Sequence, residues 1–129
     1  MKENEMIARF MGARIFQKEN YHSELIWWAE FPNETNPLGH DNIRNLSSLE
    51  YNYSWDWIMP VIDRIEQHGF LFWLQSTERA STQVTIWKGM NVVVNSISES
   101  KLQAVYNAVI QFITYYNTLQ NEPNPKSPI

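Results

Sequence analysis

Apolar residues recur at helical spacing in two stretches of this chain. Leu102, Val105, Val109, Phe112, Ile113 and Tyr116 recur at i, i+3, i+4 spacing, which predicts a long amphipathic helix. Ser98 or Ser100 can cap its start, with Ser96 and Glu99 offering an alternative capping box. Trp55, Ile58, Ile62 and Ile65, widened by Val61, draw a similar stripe between positions 54 and 68. Three signals mark where that second helix begins: Ser54 as N-cap, Asp56 in the first turn where negative charge favours the dipole, and Tyr53 placed to staple onto Ile58. Pro60 falls inside it, and because proline removes a backbone bond and crowds the preceding turn, a kink or a separate first turn is expected. A shorter periodic segment at 6–11 ends at Gly12, and Gly69 follows the second helix as a left-handed terminator would.

Period-two patterns mark the strands. Positions 14–18 and 23–31 read as extended, the second with apolar residues on both faces. Positions 70–75, 83–88 and 90–95 are rich in β-branched and aromatic residues and are joined by short connections, which predicts antiparallel neighbours. Positions 32–48 are rich in Asn and Pro and show no period; a loop of that length is a candidate site. The expected fold is α+β, in the order α-β-β-α-β-β-β-α: an antiparallel sheet of about five strands with the two long helices packed on one face. One domain spans 1–120, and the stretch 121–129, with three Pro in nine residues, reads as a flexible tail.

Composition narrows the chemistry. A net charge of −4 over 129 residues disfavours general attraction to nucleic acid or to an anionic membrane. No apolar run is long enough to span a bilayer, and the acidic start lacks the core of a signal peptide, so a cytoplasmic location is expected. Without Cys there is no disulfide, thiolate zinc site or thiol nucleophile. His22, His40 and His68 do not form a zinc-helix spacing, although His40 and Asp41 could give two ligands to a site completed elsewhere; no metal or cofactor is expected. Phosphate loops and nucleophile elbows are also missing.

Six Trp, six Tyr and six Phe are a heavy aromatic load for a chain of this size. If Phe72 and Ile86 face the helices, Trp73 and Trp87 are left on the opposite sheet face with Thr85. Such a face is a second small core, a dimer or partner interface, or a platform for stacking single-stranded bases. Trp28, Trp55 and Trp57 join Trp73 and Trp87 as candidate binding residues. Asp56 lies between two indoles, where a desolvated carboxylate could act as an acid, with Glu50 or a loop residue as its partner in a hydrolase. The capping role of Ser54 and Asp56 already accounts for that motif.

Three segments carry a resemblance. Met6-Ile7-Ala8 with Phe10-Met11-Gly12, Ser54-Trp55-Asp56-Trp57-Ile58-Met59-Pro60-Val61-Ile62, and Lys101 with Ala104-Val105-Tyr106 and Phe112-Ile113 resemble a family of small proteins of unassigned function from Bacteroidetes genomes and their phages or prophages. The resemblance implies an intracellular, phage-related protein and brings no catalytic residues. The expectation is therefore a non-catalytic module that self-associates or docks on a protein partner through its aromatic surface. A single-strand nucleic-acid accessory factor is the alternative, and a hydrolase using Asp56 is third.

Overall fold

The computed structural model describes residues 2–32 and 42–121. Most of the expected loop, including His40 and Asp41, and nearly all of the Pro-rich tail therefore lie outside the described residues.

Helix α1, Lys2–Phe10, has Glu3 and Glu5 in its first turn and Arg9 in its last, charges that complement its dipole. It ends as expected at Gly12, whose φ of +89° is open to glycine at little cost. The Gly12 N–H donates to the Arg9 carbonyl and the Ala13 N–H to the Ala8 carbonyl, both at 2.9 Å, which is a Schellman closure. Strands β1, Arg14–Glu19, and β2, Leu25–Glu30, follow as an antiparallel hairpin. β3, Ile43–Asn45, pairs with the other edge of β2 and leads into a short 3₁₀ turn, Leu46–Ser48.

Helix α2, Trp55–Gln67, runs through Pro60 as one element, so no separate first turn forms. Ser54 occupies the N-cap position with extended backbone, but its side chain makes no capping bond; its carbonyl instead receives the Trp57 and Ile58 N–H groups. Tyr53, expected to staple onto Ile58, is 63% exposed, while Ile58 is fully buried. Strands β4, Leu71–Ser76, β5, Thr82–Lys88, and β6, Asn91–Ser98, form an antiparallel meander. Helix α3, Lys101–Asn121, completes the chain; the Ser100 hydroxyl accepts from the Gln103 N–H at 3.2 Å, so Ser100 is its cap.

The α+β class holds, but the single sheet of about five strands does not. There are two three-stranded sheets, β1-β2-β3 and β4-β5-β6. The expected loop supplied the missing strand: β3 takes the free edge of β2, and each sheet is completed by neighbours in sequence, with α2 between them. Alternation along a strand identifies its faces but not its partner.

The core lies between the second sheet and the helices. Val84, Ile86 and Val94 from the sheet, Ile58, Val61 and Ile65 from α2, and Val105, Val109 and Phe112 from α3 are all buried in one cluster. Each such side chain contributes about 1.5–3 kcal/mol through its removal from water. Phe112 is also ringed by Phe70 at 4.7 Å and Phe10 at 5.8 Å, both edge-to-face. One buried polar residue joins distant parts of the chain. The Asn4 side-chain amide donates to the Leu49 carbonyl and to Asn52, and its oxygen accepts from the Tyr106 hydroxyl at 3.0 Å.

Candidate functional site

With Thr82, Val84 and Ile86 turned to the core, the alternating residues of β5, Gln83, Thr85 and Trp87, must point the other way, and the register carries the same choice to both neighbours. Three cross-strand rows result. Leu71, Trp87 and Val92 form the first, Trp73, Thr85 and Asn95 the second, and Gln75, Gln83 and Ile97 the third. The register shifts between Ile86 and Trp87, so β6 carries one extra residue there; Val92, and not Val93, stands opposite Trp87. Trp73 and Trp87 are diagonal neighbours, and their rings meet at 5.6 Å with a tilt of 59°.

This outer face is open and uncharged. Leu71, Trp73 and Val92 are each about half exposed, and Ile97 is 60% exposed. None of the nine side chains in the three rows is ionisable. The polar members are partly paired among themselves, since the Gln83 amide donates to Asn95 at 2.8 Å. Trp87 is only partly exposed, and its indole N–H makes no hydrogen bond among the described residues. Lys88, the one cation these strands carry, has its ammonium 4.8 Å from the Phe70 ring centre, on a ring that belongs to the core.

Of the five expected binding tryptophans, only Trp73 and Trp87 are brought together. Trp28 lies on the other sheet, partly buried beside Phe16 and Asn45. Trp55 is exposed at the start of α2. Trp57 is the one candidate that is enclosed: it is 2% exposed, edge-on to Tyr51 at 5.2 Å, with the Arg44 guanidinium 5.3 Å from its ring. The stripe on α2 is centred on Trp57, Ile58, Val61, Ile62 and Ile65, which leaves Trp55 on its margin. Asp56 is exposed and not enclosed by its flanking indoles.

Ionisation is perturbed at two tyrosines. Burial pushes the Tyr51 phenol far above its ordinary value, against a smaller opposing pull from the positive charge of Arg44. Burial, and secondarily the negative charge of Glu3, also raises Tyr106. Among the described residues no group of three or more His, Cys, Asp or Glu could hold a metal ion, and no helix is long and apolar enough to cross a membrane.

Sequence reasoning missed Leu71, Val92 and Ile97 as members of the face. The alternation in β4 already placed Leu71 beside Trp73, but the bulge in β6 leaves no mark in the hydrophobic pattern. It also missed Trp27, which is half exposed beside Leu25 in an apolar cleft of about 340 Å³ on the first sheet. No protein-family model, curated protein or solved structure matches this chain.

Proposed function

We propose that the protein is a non-catalytic self-association module whose second sheet docks, outer face to outer face, on a second copy of the chain. The observation that carries this reading is the Trp73–Trp87 pair, set among Leu71, Val92 and Ile97 on a face with no ionisable side chain. Exposed apolar patches rimmed by polar residues are characteristic of interaction surfaces. A face without charge meets no repulsion from its own duplicate, even though each chain carries a net −4. An isologous pair about a two-fold axis needs only such self-complementarity. The resemblance to small Bacteroidetes and phage proteins bears on origin and leaves this reading unchanged. Stacking of single-stranded bases would use the same rings but requires cations beside them, and Lys88 is turned to the Phe70 ring.

Light scattering coupled to size exclusion, run from about 5 µM to about 500 µM, spans the affinities expected of a weak dimer. The wild type is expected to pass from monomer toward dimer over that range. Trp73→Lys, which puts a charge at the centre of the face without disturbing the core, is expected to stay monomeric with an unchanged melting temperature. A wild type that is monomeric throughout, or a dimer that survives Trp73→Lys, would overturn the reading.

A further inference from the structure

The three helices meet at a second feature that the docking face does not use. α1 contributes Arg9 and Phe10, α2 and its C-cap contribute Arg64 and His68, one turn apart, and α3 contributes Tyr116 to a cleft of about 300 Å³. That volume is at the lower end of those that hold small molecules. Among the described residues no carboxylate lines the cleft itself, although Glu5 stands against Arg9 at its rim.

Its two arginines are held differently. Arg9 is shared with Glu5 in an exposed pair at 3.0 Å. Arg64 donates from Nε to the Phe10 carbonyl at 2.9 Å, which fixes the plane of its guanidinium. Its two terminal amino groups make no hydrogen bond or ion pair among the described residues. A guanidinium anchored through Nε, with its outer edge unpaired, is arranged to accept two oxygens of one oxyanion.

Two helices end here, and unpaired carbonyls at helix C-termini would repel an anion. These ends are closed. Gly12 and Ala13 donate to the last turn of α1, the Phe10 carbonyl is taken by Arg64, and the N–H groups of His68 and Gly69 donate to the last turn of α2. Side-chain charge is therefore what an incoming group meets. Beside that charge stands a wall of rings: Phe10, His68 and Tyr116 lie pairwise at 5.2, 5.6 and 5.7 Å between centres.

We propose that this cleft binds a small phosphomonoester carried on a planar ring. The Arg64 fork takes the phosphate oxygens, Arg9 adds the second positive charge, and the ring rests against Phe10 and Tyr116. A phosphomonoester, with close to two negative charges at neutral pH, takes the Arg64 fork and competes with Glu5 for Arg9 better than a singly charged carboxylate does. The ring wall distinguishes such a ligand from the free ion.

Titration of the full chain with phenyl phosphate, inorganic phosphate and benzoate, followed by amide chemical shifts at about 50 mM salt, tests the proposal. Phenyl phosphate is expected to saturate, and to bind about tenfold more tightly than either of the other two probes. Arg64→Lys keeps the charge and removes the fork, and is expected to weaken phenyl phosphate about tenfold. Arg9→Gln, at an exposed position where folding is undisturbed, is expected to weaken it about threefold, and it reads the site even if the Arg64 variant unfolds. Shifts are expected to cluster at residues 9–10, 64–68 and 116. No saturation below about 10 mM, equal affinity for inorganic phosphate, or full affinity in Arg9→Gln overturns the proposal.

Discussion

The Tyr51 hydroxyl is buried and makes no hydrogen bond among the described residues, and a polar group left unpaired indoors costs about 1–3 kcal/mol. Tyr51→Phe keeps the edge contact with Trp57 and removes that cost. Urea denaturation at neutral pH is therefore expected to show the variant more stable than wild type by about 1 kcal/mol. The same burial couples stability to alkaline pH. Because the folded phenol holds its proton beyond the ordinary value near 10, the unfolded chain releases its proton first as pH rises. The contribution is complete below about pH 10 and is lost progressively above it, with Tyr106 acting in the same sense. Denaturation midpoints measured between about pH 9 and pH 11 are expected to fall more steeply for wild type than for Tyr51→Phe.

At the scale of elements, the two serines that precede helices separate position from bonding. Ser100 bonds the Gln103 N–H, whereas Ser54 stands at an N-cap without using its hydroxyl. Thermal unfolding is expected to register a loss of about 1 kcal/mol for Ser100→Ala and less than about 0.5 kcal/mol for Ser54→Ala. The hydrophobic period made α3, the ends of α1 and α2 at glycine, and the strands of the meander readable in advance, because burial on one face imposes that period directly. It could not show β3, whose three residues are too few to display a period, nor the division into two sheets, which depends on which edges meet. The enclosure of Trp57 in place of Trp55 was hidden for a related reason. Both indoles fit within a stripe drawn broadly around Ile58 and Ile62, and only the seat formed by Tyr51 and Arg44 decides between them. Of the candidate site, the placement of Trp73 and Trp87 on the face opposite Phe72 and Ile86 was readable from alternation, whereas their contact depends on a register that alternation does not set.

Among the described residues the charges lie apart from the proposed docking face, and this would give the association a distinctive salt response. Contacts built from charges weaken as salt screens them, with a Debye length near 10 Å at 0.1 M, whereas burial of neutral surface does not. Between about 50 mM and about 500 mM NaCl the dimer dissociation constant is expected to change by less than about threefold in sedimentation equilibrium. A rise of an order of magnitude or more would point to contacts between charges instead.

Strand β4 borders its sheet, pairing with β5 and with no other strand among the described residues. Its sequence, Leu-Phe-Trp-Leu-Gln-Ser, holds no charge and no proline, and the first ionisable residues after it are Glu78 and Arg79. Docking through the face as proposed would end at two copies, because it would consume the surface that drives it. A border of this composition sets no such limit: each added strand leaves a new border for the next, which is how fibres grow. Association through the proposed face would thus be finite, whereas pairing along this border would be unlimited.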